Sequence, residues 1–173
     1  MNKENLMRNI KIEKITLNIG AGKDQAKLEK GVKLLKNITG INPIKTITQK
    51  RIAGWGLRPG LPIGCKLTLR GKVARDILVR LLDAKENRLN ERQFDNIGNV
   101  AFGIREYIDI PGAKYDPEIG VMGLEVCVTL ERNGFRIKKR KLKNKKISSR
   151  HRIMKEEAIE FMKKEFNVKM GEE

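Results

Sequence analysis

The sequence predicts an α+β fold: a largely antiparallel sheet of about five strands with helices packed on one face. Three observations predict it. Several short stretches alternate polar and apolar residues with period two, as half-buried strands do. Others repeat their apolar residues at helical spacing. Their order is strand, helix, strand, strand, helix, further strands and a closing helix, with Gly and Pro at the joins.

The first strand is read over Lys11–Ile19, followed by the turn Gly20-Ala21-Gly22. From Lys23 to Thr39, Leu28, Val32, Leu35 and Ile38 share one helical face, while Lys23, Lys27 and Lys30 lie opposite. Gly40 stops this helix. A short strand, Ile44–Thr48, leads into a basic loop punctuated by Gly and Pro at 49–62. A loop of that length inside a compact domain is usually functional or disordered. Cys65–Arg70 is the third strand. Val73–Leu82 is a short helix whose apolar set is Val73, Ile77, Leu78, Leu81 and Leu82. After a polar stretch, strands are read over Asn99–Ile110, with Gly103 weakening it, and over Val121–Leu130. A basic segment follows at 132–152. The closing helix is placed within 153–168, with Ala158, Phe161, Met162 and Phe166 inward; Met154 is not a preferred N-cap. All 173 residues are read as a single domain.

Charge narrows the function. Lys and Arg total 38 against 21 Asp and Glu, a formal charge of +17. Self-repulsion on that scale favours a polyanionic partner, and nucleic acid fits best. There is no 18-residue apolar stretch, so no membrane span is expected. The charge is uneven. Between Asp83 and Glu118 there are eight acids and five bases, whereas 132–152 holds 11 Lys or Arg and no acid. A binding side and a non-binding side follow, and the acidic stretch could meet a basic protein. Cys65, Cys127 and the one histidine, His151, match no metal motif. No metal, cofactor or small-molecule substrate is expected. The cysteines read as buried free thiols of a cytosolic protein, and no signal peptide is seen.

Three motifs invite sharper readings. Gly20-Ala21-Gly22-Lys23 opens a helix after a strand, as phosphate-binding turns do. Its spacing does not fit the nucleotide motif, and Asp24 would repel phosphate. A tight turn, with Lys23 near an RNA phosphate, remains. Ser149 beside His151 lacks a positioned carboxylate, so nucleophilic catalysis is not expected and His151 is assigned to RNA. Trp55, between Gly54 and Gly56 in the basic loop, either packs the loop or stacks on a base or ribose. The alternatives to a specific RNA-binding protein are a sequence-blind nucleic-acid chaperone and a phosphoryl-transfer enzyme built on the Gly20–Lys23 turn.

Several stretches jointly carry a family resemblance. They are Leu17-Asn18-Ile19-Gly20-Ala21-Gly22, Ile38-Thr39-Gly40, Pro62 through Gly71, Phe94-Asp95-Asn96-Ile97-Gly98-Asn99, Tyr115-Asp116-Pro117 and Gly120-Val121-Met122-Gly123-Leu124-Glu125. Nearly end to end, the chain resembles the universal large-subunit ribosomal protein family numbered five in bacteria. Ser149-Arg150-His151-Arg152-Ile153 and Lys155-Glu156-Glu157-Ala158 are similar to the archaeal and eukaryotic form, and the short N-terminus favours the archaeal one.

The resemblance implies a structural protein of translation in the cytoplasm. It would hold 5S rRNA in the central protuberance with an exposed sheet face and also touch 23S rRNA. Its loop near Ile52–Gly60 would reach P-site tRNA, and another surface would bridge to a small-subunit head protein. Family contact positions carry over to Asn18 and Thr68. Ile41 stands where the family has Gln, and Pro59 where it has an acid. The expected rRNA contacts are Asn18, Lys23, Thr68 and Arg70, then Arg136, Lys138, Lys139, Arg140, Lys141, Lys143, Arg150, His151 and Arg152. Lys50, Arg51, Trp55 and Arg58 form the loop expected to face tRNA.

Overall fold

The computed structural model describes residues 5–171. Five strands form one antiparallel sheet: β1 (Ile10–Gly20), β2 (Ile44–Ile47), β3 (Pro62–Leu69), β5 (Asn99–Ile104) and β6 (Leu124–Arg132). Their order across the sheet is β2-β3-β1-β6-β5. Three helices accompany them: α1 (Gln25–Thr39), α2 (Gly71–Asp83) and α3 (Lys155–Phe166). Two short strands, β4 (Arg88–Leu89) and β7 (Lys169–Met170), pair in parallel apart from the main sheet. The α+β class and the five-stranded antiparallel sheet agree with the sequence reading.

One side of the sheet carries the core. Ile15, Leu17 and Ile19 of β1, Cys65, Leu67 and Leu69 of β3, Val100, Phe102 and Ile104 of β5, and Leu124, Val126, Val128 and Leu130 of β6 are buried together. Leu28, Leu34, Leu35 and Ile38 of α1 and Ala74, Ile77, Leu78, Leu81 and Leu82 of α2 close over them. The α3 residues Ala158, Met162 and Phe166 join the same cluster. This helix lies beside α2: Arg75 stands 5.6 Å above the Phe166 ring and pairs with Glu165 at 2.7 Å.

Strand β1 is not a uniform alternation. Its register on β6 skips a residue between Ile12 and Lys14, a bulge at Glu13. Ile12 and Ile15 therefore face the core although three positions separate them. Gly64 permits another close approach, because a methyl group there would sit 2.6 Å from the Ile19 carbonyl oxygen.

Several boundaries differ from the sequence expectation, each for a local reason. Helix α1 starts at Gln25, not Lys23, because Asp24 is its N-cap and accepts the Lys27 amide at 3.1 Å. Val73 faces solvent and Ala74 takes the inward place in α2. The strand read as Asn99–Ile110 ends at Ile104. A 3-10 turn at Tyr107–Asp109 follows, where the buried Tyr107 hydroxyl accepts the Asp116 amide at 2.9 Å. The strand read from Val121 begins at Leu124 and runs on to Arg132. The start of α3 uses Glu157, whose carboxylate reaches back to the Met154 amide at 3.0 Å.

Candidate nucleic-acid interface

The period of two sends every second residue to the face away from the helices. Cross-strand register aligns those residues in rows. One row is Ile44, Lys66, Asn18, Glu125 and Gly103. The next is Thr68, Thr16, Cys127 and Ala101. None of these residues is buried, and no helix covers them. The surface is therefore a plateau held by sheet hydrogen bonds, with the small groups Asn18, Gly103, Thr68, Thr16, Cys127 and Ala101 set beside the longer Ile44, Lys66 and Glu125. A rigid helix of RNA can approach it closely, and hydroxyl and amide groups are placed for ribose and base edges. Burial and the adjacent Glu125 raise the Cys127 thiol above its ordinary range, so it stays neutral and adds no negative charge to the plateau.

Asn18 and Thr68 both lie on this plateau, on neighbouring strands in adjacent rows. The Asn18 amide donates to Glu125 at 3.4 Å. Arg70 and Lys139 stand at one end of the face, both held by Glu13. Its side chain is only 6 % exposed, and it pairs with Lys139 at 2.6 Å and with Arg70 at 3.4 Å. Burial alone would raise the Glu13 carboxyl; the hydrogen bonds from Lys139 and Arg70 outweigh it and hold the group below the ordinary range. Lys139 also reaches Glu131 at 3.0 Å, and Lys11 pairs with Glu131 at 3.5 Å. Two of the expected cations are thus engaged within the protein.

The basic segment leaves β6 at its last residue. Arg132, read from sequence as the first of the run, is 4 % exposed; it bonds the Arg152 carbonyl at 3.3 Å and the Glu157 carboxylate. Phe135 is buried. Lys138 lies 4.8 Å over its ring, and the His151 ring meets it edge-on at 5.7 Å. The His151 ring nitrogen donates to the Asn133 carbonyl at 2.9 Å, so the histidine fastens the two ends of the segment together. Between them, Arg140 donates to the Lys143 carbonyl at 2.9 Å and Asn144 to the Lys138 carbonyl at 2.8 Å. Arg136, Lys138, Arg140, Lys141, Lys143, Arg150 and Arg152 form no ion pair with a described acid and carry their charges outward.

The loop between β2 and β3 is ordered. At its base the Thr48 amide and hydroxyl both donate to the Leu61 carbonyl and the Gly60 amide donates to the Thr48 carbonyl, and Ile52 and Leu57 pair with each other at 3.0 and 3.1 Å. Leu57 is buried and anchors the loop, whereas Trp55 at the tip is 70 % exposed. Most of the Trp55 ring is thus left open to solvent, and little of it packs the loop. Lys50, Arg51 and Arg58 stand around it on the exposed surface.

The Gly20–Lys23 turn has no free cradle for phosphate. The Ala21 and Gly22 amides both donate to the Ile63 carbonyl, at 2.9 and 3.0 Å, and Asp24 occupies the helix N-terminus. Lys23 lies in this turn against the loop, close to Gly56. Among the described residues no three metal-ligating side chains gather, and no helix is long and apolar enough to cross a membrane.

A one-sided sheet, an uncovered plateau of small polar groups and an outward-facing cationic segment define a structural protein built to lie against a polyanion. Comparison with known proteins gives the particular family. The family model described as ribosomal protein L5 matches residues 5–58, and the model of the same ribosomal family's C-terminus matches 62–161. The large ribosomal subunit protein uL5 of Nanoarchaeum equitans is 50% identical over 168 residues, 96% of this chain and 99% of its own. That of Sulfolobus acidocaldarius is 49% identical over 166 residues, 96% of this chain and 93% of its own. The uL5 of Sulfurisphaera tokodaii is 47% identical over 169 residues, 97% of this chain and 96% of its own. The chain belongs to the ribosomal protein L5 family; it is a structural protein of the large ribosomal subunit and not an enzyme.

Sequence reasoning missed three features of this face. Glu13 and Glu131 as holders of Lys139 needed the sheet register. The bulge was signalled by the three-residue step from Ile12 to Ile15. The solvent-facing Glu125 beside Asn18 was quoted only as part of a family stretch.

Proposed function

We propose that the chain attaches 5S rRNA to the large subunit, in the central protuberance, through the outer face of its sheet. The observation that carries this reading is the plateau: β1, β3, β5 and β6 bury one apolar side in the core and leave the other side, with Asn18 and Thr68, uncovered. The basic segment supplies phosphate contacts to 5S and 23S rRNA, adding affinity but no sequence information. The ordered loop presents Trp55, Lys50, Arg51 and Arg58 to P-site tRNA, where an exposed aromatic flanked by cations suits stacking. A separate surface meets a small-subunit head protein.

Competition tests the central part. The protein is bound to 5S RNA and challenged with tRNA and duplex DNA at several salt concentrations. A preference for 5S RNA of about a hundredfold, roughly 2.7 kcal/mol, is the expected result. Equal competition by all three across the salt range would reduce the protein to a sequence-blind polycation.

A further inference from the structure

Three acids stand on the RNA-facing side of the sheet. Glu13 is paired with Lys139 and Arg70, and Glu131 with Lys11 and Lys139. Glu125 is different. It is exposed and has no cationic partner among the described residues; its single hydrogen bond comes from the Asn18 amide, at 3.4 Å. An unneutralised carboxylate in the middle of a surface that meets RNA repels phosphate. It is compatible with binding only where RNA offers hydrogen-bond donors.

The surroundings fit one kind of donor. A pocket of about 270 Å³ opens beside the pair, lined by Asn18, Gly20, Lys27, Val121, Gly123 and Glu125 among others. Val121 is 69 % exposed and gives it an apolar wall, the two glycines leave room for a flat ring, and Lys27 supplies a cation at the rim. Read across the pair, the Asn18 Nδ2–H and the two Glu125 carboxylate oxygens present donor, acceptor, acceptor. That is the hydrogen-bonding edge of cytosine, and its complement is guanine: O6 accepts while N1–H and N2–H donate. Adenine would set its N1 lone pair against the carboxylate. Cytosine and uracil each place at least one acceptor opposite a carboxylate oxygen. An unstacked base recognised on its Watson–Crick edge is a common way for proteins to read RNA.

We propose that the Asn18–Glu125 pair is a guanine-reading site: a single unpaired guanine of the bound RNA inserts its Watson–Crick edge against Glu125, with Lys27 near its phosphate. This rests on the reading that the outer face binds 5S RNA, and it adds the residue that selects and the base that is selected.

The test uses the full chain, 5S RNA and kethoxal, a dicarbonyl that adds across N1 and N2 of unpaired guanines. Wild-type protein should protect one otherwise reactive guanine. Glu125→Gln, isosteric and on an exposed site, replaces one acceptor with a donor. It should weaken 5S binding on the order of tenfold and, at saturating protein, return that guanine to reactivity. Equal or tighter binding by the variant, with no change in any guanine, would overturn the site: Glu125 would then be merely repulsive, while the 5S reading survived. Failure of the wild-type protein to prefer 5S RNA would overturn the 5S reading and, with it, the guanine site.

Discussion

The outer face of the sheet and the basic segment at 133–152, the two surfaces proposed to meet RNA, are built on opposite plans. On the face, Lys11, Lys14, Lys66 and Arg70 stand beside Glu13, Glu125 and Glu131, and the middle is Thr16, Thr68, Cys127, Ala101 and Gly103. The segment is almost entirely cationic and is held by a few anchors: Phe135, His151 and the buried Arg132 at its root. Charge without shape gives attraction to any polyanion; shape with little net charge gives discrimination without much attraction. The difference predicts that affinity and selectivity are separable in this protein and can be removed one at a time.

The largest effect comes from the root of the segment. Arg132→Ala strands the Glu157 carboxylate and frees the Arg152 carbonyl. Breaking a fully buried pair costs about 3–5 kcal/mol; with Glu157 partly exposed, about 2 kcal/mol is expected here. Urea unfolding measures it, and a change below about 0.5 kcal/mol, the usual surface value, would mean the segment is not anchored there.

Removing charge without touching the anchors sharpens the comparison. Replacing the exposed Lys141, Lys145 and Lys146 with Ala should flatten the salt dependence of RNA binding by about 0.7–0.9 per lost phosphate contact. It should weaken 5S RNA and duplex DNA alike. An unchanged slope would show these lysines to be merely solvated.

Acid attacks the ion pairs that organise both regions. Glu13 and Glu157 are held below the ordinary carboxylate value of 4.5, despite burial that pushes the other way, by Lys139 and Arg70 and by the Met154 amide and Arg132 respectively. A depressed carboxyl contributes stability above its unfolded value and loses it as pH falls through the folded one. The urea midpoint should therefore be level from pH 7 to about 5 and decline below 4.5. Glu13→Gln should shrink that decline, and an identical pH profile in the variant would remove Glu13 from the account.

The smallest effect is expected at the loop. Trp55→Ala should change stability by no more than about 0.5 kcal/mol and leave 5S binding intact, because its ring packs against nothing in the core. Accommodation of tRNA on assembled subunits should weaken. Loss of 5S binding would mean the loop and the sheet face form one surface.

Much of this was legible in the sequence because periodicity records which side of an element is apolar. The inward residues Ile15, Leu17, Ile19, Leu28, Leu35 and Ile38 were readable in that way, and so was the helix stop at Gly40. The extent of β5 was not. A Tyr107 turn and an extended strand share the same apolar rhythm, and only the Tyr107–Asp116 bond separates them. The same limit hid Arg132: a cation at the head of a basic run carries no local mark of burial, which Glu157, 25 residues along the chain, creates. Charge pattern located the basic segment but could not tell the outward Lys141 from Lys139, which two distant glutamates hold. The exposure of Trp55 was not legible either: it follows from the pairing of Ile52 with Leu57, which leaves the ring at the tip of the loop.

The most direct measurement is the preference for 5S RNA over tRNA in Thr68→Glu, beside the triple lysine variant. The substitution places a bulky carboxylate on the plateau and leaves the basic segment as it is. Collapse of the preference with a preserved salt slope is the predicted result, the mirror image of the lysine variant. An unchanged preference in Thr68→Glu would contradict the assignment of selectivity to the sheet face.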